Sequence, residues 1–219
     1  MLSLLFLHGF ATGPSIWDKQ VRALSGKYQV STDLKQIESQ VPTYIVAWSM
    51  GGFKAIDLWQ KYPDKVKGLI LVSAFPKYVR SLDYPQGTSV ALLDRLEKMF
   101  DSDFKHGLHF FYDLIFSNKD QHVLIPDLPE PPREDIDKWF ETLRNADKRP
   151  LLEKINVPTL IIHGSNDMIV DPTTAQYLHE QIKGSSLRIL PDVGHAPFLE
   201  QEQVFNDLII EFVESHKND

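Results

Sequence analysis

Six short apolar runs, rich in β-branched and large aliphatic side chains, recur along the chain between stretches with helical spacing. They predict strands near 2–7, 28–32, 43–48, 67–73, 158–163 and 186–190. The runs are continuous rather than alternating, as expected for strands covered on both faces in a parallel sheet. Helical spacing predicts helices over roughly 14–25, 50–62, 172–183 and 198–215. Two boundaries have local causes: Pro63 follows the second helix, and Asp171-Pro172 opens the third with a proline suited to a first turn. The alternation predicts an α/β fold, with a mostly parallel sheet of about six strands and helices on both faces.

Residues 76–150 break the alternation with helical patterns and no convincing strand. The expected organisation is one structural domain, with a core of residues 1–75 and 151–219 and a helical cap of residues 76–150 inserted after the fourth strand. Phe104, Leu108, Phe111 and Ile115 form one apolar stripe, and Ile136, Phe140 and Leu143 form another. Between them Leu124 to Arg133 carries Pro126, Pro129, Pro131 and Pro132, which fix φ and remove donors, so an extended loop is expected. Packing on the core accounts for most of the stripe residues.

Composition narrows the classes. At 219 residues the chain can build a single core. It has no cysteine, which excludes disulfides, thiolate zinc sites and a cysteine nucleophile and suits the cytosol. The eight histidines lack ligand spacing, so no metal and no cofactor are expected. A net charge of −7 and a pI near 5.6 speak against a nucleic-acid or anionic-membrane surface. Met1 to Leu7 is apolar, but it is far shorter than the ~20 residues of a membrane span and lacks a basic leader, so it reads as the first buried strand. A cytoplasmic monomer is expected.

The chemistry concentrates at Ala47-Trp48-Ser49-Met50-Gly51-Gly52, between an apolar strand and a helical pattern. A serine on such a strand-to-helix turn is pushed out above the sheet, where a base can reach it. The match to G-x-S-x-G is close, with Ala47 in place of the first glycine. A serine nucleophile needs a base and the base needs an orienting carboxylate. His195, in Asp192 to Phe198, and Asp167, in Gly164 to Val170, supply both in the chain order Ser, Asp, His. Asp171 is the rival orienter, but it reads better as the cap of the following helix. His8-Gly9-Phe10 follows the first strand, where a loop can aim a backbone N–H at a developing oxyanion. The amides of Phe10 and Met50 are the expected donors. His8 is read as a brace for its loop, and His163, at a strand end, as structural.

On these residues the chain resembles an α/β-hydrolase, and most of all the pimeloyl-acyl-carrier-protein methyl ester esterases of biotin synthesis. The similarity runs through Leu7-His8-Gly9-Phe10, the serine turn, Tyr62-Pro63-Asp64-Lys65-Val66, Asp101-Ser102-Asp103-Phe104, Gly164 to Val170 and Gly194-His195-Ala196-Pro197-Phe198. It covers most of the chain. The triad and the His-Gly loop belong to the whole superfamily, whereas Trp48 and the Ser-Asp-Phe of the cap are closer to this family. Two features depart from the pattern: the chain starts directly at the His-Gly strand, without a leading hairpin, and only about ten residues separate Asp33 from the serine strand. An edge strand with little helical cover is expected near 28–32.

The resemblance implies a serine carboxylesterase with catalytic Ser49, Asp167 and His195, an acyl-enzyme intermediate, and an acyl ester substrate carried on acyl carrier protein. Trp48, Phe104, Phe111, Tyr112, Trp139 and Phe140 are the candidates for an acyl channel, since such pockets are largely apolar. An acidic carrier would need exposed cations near the channel mouth. Residues 76–150 hold 11 Lys and Arg against 14 Asp and Glu, a balance of −3, which leaves only a local patch from Lys138, Arg144, Lys148 and Arg149. An ordinary solvated helix face explains those four equally well. A broad short-chain carboxylesterase, a lyase or C–C hydrolase of the menaquinone or aromatic-degradation type, and a non-catalytic ligand binder remain alternatives on the same fold; the last would need a broken triad.

Overall fold

The computed structural model describes residues 2–39, 41–118, 124–125 and 128–217. The expectations that fall on Met1 and Pro126 lie outside the described residues. The six apolar runs form β1 (Ser3–Leu7), β2 (Gln29–Ser31), β3 (Thr43–Trp48), β4 (Val66–Val72), β5 (Thr159–Gly164) and β6 (Ser186–Leu190). They make one sheet in the order β2-β1-β3-β4-β5-β6, with every pairing parallel. Successive side chains of a strand point to opposite faces. Leu4, Phe6, Tyr44, Val46 and Trp48 therefore join one apolar cluster, and Leu5, Leu7, Ile45 and Ala47 join the other. The two clusters account for the unbroken hydrophobicity of the strands, since each face is covered.

The helices are α1 (Asp18–Leu24), α2 (Gly51–Lys61), α3 (Val90–Ser102), α4 (Phe104–Ile115), α5 (Arg133–Asn145), α6 (Arg149–Leu152), α7 (Thr173–Gln181), α8 (Pro197–Glu200) and α9 (Glu202–Ser215). Two predicted helices are interrupted. The stretch expected at 14–25 begins as a 3-10 turn over Pro14–Trp17 before α1. The stretch expected at 198–215 breaks at Gln201, whose φ of −130° and ψ of 59° separate α8 from α9. Asp171 holds the start of α7, its carboxylate accepting the Thr173 amide at 2.9 Å, as expected of a helix-capping aspartate.

Among the described residues, 76–150 contribute α3 to α5, the start of α6 and no strand of the sheet. Ser89 and Asp103 cap α3 and α4 through the amides of Leu92 and His106. Both predicted stripes are buried, from Phe104 through Ile115 and from Ile136 through Leu143. At the other end of the sheet the described residues of the Asp33 to Thr43 connection form only a 3-10 turn over Leu34–Glu38. The adjoining β2 is a three-residue edge strand, in line with the thin cover expected there. Among the described residues no helix is long and apolar enough to cross a membrane.

Candidate active site

The chain leaves β1 toward β2 on one side and later returns to place β3 on the other, so strand order reverses between β1 and β3. A crevice opens outside the carboxyl ends of strands at such a switch point. His8-Gly9-Phe10 follows β1 there, and Ser49 follows β3. Ser49 sits in the left-handed region at φ 54°, a conformation costly for a residue with a Cβ. The turn is held by its amide donating to the Val72 carbonyl at 2.9 Å and by the Gly52 amide donating to its carbonyl at 2.9 Å. Gly51 is required by space: a Cβ there would lie 2.7 Å from the His8 carbonyl oxygen. Gly9 is similarly placed, since its Cβ would lie 3.0 Å from Cβ of Ser49.

The structure brings Ser49, His195 and Asp167 together from positions far apart in the chain. His195 Nε2 lies 2.8 Å from Ser49 Oγ and its Nδ1 lies 2.7 Å from Asp167 Oδ2. All three are buried, His195 completely. The His195 backbone is pinned from two sides: its amide donates to the Ile115 carbonyl at 2.6 Å, and its carbonyl accepts the Trp48 indole N–H at 2.8 Å. Glu200 in α8 holds the same loop, accepting the Gly194 amide at 2.8 Å.

Asp167 is saturated with donors. Its Oδ1 accepts the amides of Ile169 and Val170, each at 2.9 Å, and Oδ2 has a second neighbour in Nε2 of His163 at 3.1 Å. Burial opposes its ionisation, but the charge of His195 and the hydrogen bonds from His163 and His195 hold the carboxyl below the usual carboxylate range. His163, Glu200 and the two amides are parts of the site that the sequence reading does not assign. For His163 a signal was present, because it precedes Asp167 by four residues at the strand end. Asp171, the rival orienter, is exposed and turned to Thr173.

The amides of Phe10 and Met50 donate to no protein acceptor among the described residues. Such free donors beside Ser49 suit an oxyanion. His8 braces its loop through Nδ1, 3.0 Å from the Gly9 carbonyl, and burial pulls its pKa down.

The channel candidates separate. The Phe10 ring is the hub of edge-on contacts with Phe111, Trp139 and Phe140, at centroid distances of 5.0, 5.7 and 5.2 Å. Tyr112 is buried and its hydroxyl donates to the Ala11 carbonyl at 2.9 Å, tying α4 to the loop after β1. Trp48 is fully buried beneath His195 and Phe198. Its face follows from strand register, which puts 44, 46 and 48 on one side. Phe111 lines a cleft of about 530 Å³ that also touches Asp167, Ile169, Leu96, Arg80 and Arg95. Phe104 lines a different, smaller cleft of about 410 Å³ with Leu108 and Leu128.

The cationic patch expected from the sequence is neutralised. Lys138 pairs with Glu134, Arg144 with Asp94 and Glu97, Lys148 with Asp57, and Arg149 with Asp83 and Asp147. Helical i,i+4 spacing and the facing acids of α3 account for the first two.

Comparison with known proteins agrees with this geometry. The family described as alpha/beta hydrolase fold matches residues 32–202. A pimeloyl-[acyl-carrier protein] methyl ester esterase of Neisseria meningitidis is 34% identical over 196 residues, covering 85% of this chain and 75% of that protein. One of the same name from Nitrosomonas europaea is 27% identical, covering 92% of each. An esterase from Exiguobacterium antarcticum superposes with a TM-score of 0.85 at 23% identity, covering 98% of this chain and 92% of that one, a likeness of fold.

Proposed function

This chain belongs to the alpha/beta hydrolase family, with the pimeloyl-[acyl-carrier protein] methyl ester esterases, and from that premise we propose that Ser49, His195 and Asp167 carry its carboxylic ester hydrolysis. The observation that supports this most is the single imidazole that spans Ser49 Oγ and the Asp167 carboxylate. His195 Nε2 takes the serine proton as Oγ attacks the ester carbonyl. The carbonyl oxygen becomes negative and is met by the amides of Phe10 and Met50. His195 then protonates the departing alkoxide, leaving an acyl-serine and the free alcohol. Water, deprotonated by the same imidazole, attacks the acyl carbon, and its proton returns to Ser49 as the acid leaves. Asp167 holds the tautomer with hydrogen on Nδ1 and stabilises the imidazolium.

The substrate we assign is the methyl ester of pimeloyl-acyl carrier protein, which gives methanol and the ω-carboxylate. The names of the relatives at 34% and 27% identity support it. The test is methanol release from the carrier-linked ester, with complementation of a biotin auxotroph lacking its pimeloyl ester esterase. Wild type is expected to release methanol and restore growth. Ser49→Ala is expected to lose roughly 10⁴-fold or more in kcat. Equal turnover by both proteins would overturn the assignment.

A carrier-independent short-chain esterase is the second reading. The pairing of Lys138, Arg144, Lys148 and Arg149 with neighbouring acids favours it, because it removes the cations first expected to receive an acidic carrier. Equal kcat/KM for free methyl pimelate and the carrier-linked ester would select it.

A further inference from the structure

The Asp167 oxygen that lies 2.7 Å from His195 Nδ1 also lies 3.1 Å from Nε2 of His163. His163 is in β5, is fully buried, and brings the same nitrogen within 3.0 Å of the Val170 carbonyl oxygen. Both neighbours of Nε2 are acceptors, so this nitrogen carries the hydrogen: it donates to the Val170 carbonyl, and the Asp167 Oδ2 atom lies beside the same N–H at 3.1 Å. Its Nδ1 is buried with no partner. A histidine held by one N–H and leaving the other nitrogen unsatisfied is a poor choice for filling space, because the unpaired atom loses its hydration for nothing. What the residue does provide is a donor, delivered to the carboxylate from the sheet.

With that donor every direction around the carboxylate is used. The Ile169 and Val170 amides occupy Oδ1, and the two imidazoles share Oδ2. The Val170 carbonyl that accepts the His163 hydrogen belongs to the residue whose amide binds Oδ1, so strand, loop and carboxylate close on one another. The Asp167 plane is thus fixed by groups other than His195, and it keeps its aim when the imidazole shifts between serine and leaving group.

Resting on the triad reading above, we propose that His163 is a positioning residue, whose Nε2–H holds the Asp167 carboxylate aimed at His195. Two further titratable groups stand close to this carboxylate. Burial pushes the Tyr78 hydroxyl up to about 12, so it stays neutral. Hydrogen bonds from Thr173 hold Asp171 below the usual carboxylate range, so it adds a second negative charge nearby. A carboxylate stripped of the His163 donor would attract the His195 imidazolium more strongly, and the base would be freed only at higher pH.

The experiment compares wild type, His163→Gln, which keeps an N–H at the same reach, and His163→Leu, which has none. Each is assayed with a short neutral p-nitrophenyl ester for kcat, KM and pH profile, together with its thermal midpoint. For His163→Leu we expect kcat to fall about tenfold or more at unchanged KM, and the acid limb to move up by about one pH unit. For His163→Gln both should return to near the wild-type values. A folded His163→Leu with wild-type kcat and pH profile overturns the proposal, as does a folded His163→Gln no better than His163→Leu. If His163→Leu does not fold, His163→Asn, whose amide is a bond too short, makes the same comparison with His163→Gln. Ser49→Ala is run alongside: its inactivity with an unaffected His163→Leu defeats the positioning role alone, whereas its activity defeats the triad reading beneath it.

Discussion

The indole N–H of Trp48 reaches the His195 carbonyl at 2.8 Å, so the residue before the serine anchors the loop that brings the base to it. Strand register rather than substrate contact decides this: a side chain at 48 shares the face of Tyr44 and Val46, beneath the site. Trp48→Phe keeps most of the ring but leaves that carbonyl unpaired. We expect kcat to fall about tenfold with little change in KM, and about 1 kcal/mol of stability to be lost, read by steady-state kinetics and urea unfolding. Asp167 gives a pH signature. Its folded pKa lies below its unfolded value, so its stabilisation is complete above the unfolded pKa of about 3.9 and is lost as pH falls through the folded value. Urea unfolding of Asp167→Asn should therefore lose less stability than wild type between about pH 6 and pH 3. The meeting of Ser49, His195 and Asp167 was legible in the sequence because a serine, an aspartate and a histidine each follow a predicted strand. His163 offered only its place four residues before Asp167, since the atom it faces is decided by folding.

At the scale of elements, α4 fastens both halves of the site. Tyr112 donates to the Ala11 carbonyl beside Phe10, and the last residue of the helix, Ile115, accepts the His195 amide. The loop after β1 and the loop of His195 are thereby tied to one rod. Tyr112→Phe removes the first tie without changing the packing volume. It should cost about 1 kcal/mol in urea unfolding and lower kcat more than it raises KM, because the proposed Phe10 donor would matter most when the oxyanion forms. The strands were the most legible elements, since burial on both faces writes itself as an unbroken apolar run. The two apolar stripes within 76–150 were legible, but α3 was not separately assigned. Its apolar positions Leu93, Leu96 and Phe100 do recur at helical spacing, yet they alternate with charged residues and follow an irregular stretch over 76–89. The helix predicted at 198–215 splits at Gln201, next to Glu200, which accepts the Gly194 amide, a contact no local pattern encodes.

For the whole molecule the question is how a protein with a net charge of −7 would receive an acidic carrier. Long-range attraction fails, so docking must rest on a local field. Most cations of the cap are spent on neighbouring acids, but Arg95, Lys98 and Lys105 form no ion pair among the described residues. Arg95 and Lys98 lie three residues apart on α3, and Arg95 lines the cleft of about 530 Å³ that Asp167 and Ile169 also line. A carrier arriving there would meet free positive charge beside a cleft that reaches Asp167. Exposed pairs of this kind speed association and are screened by salt. Raising ionic strength from about 0.05 to about 0.5 M should therefore lower kcat/KM for the carrier-linked ester and leave a short neutral ester unchanged. The double variant Arg95→Glu/Lys98→Glu should reproduce the high-salt value for the carrier substrate, about tenfold down, and lose the salt dependence, with the short ester again unaffected. Parallel salt curves for the two esters, or a double variant that treats both alike, would move docking off this face and return the choice to the carrier-independent esterase.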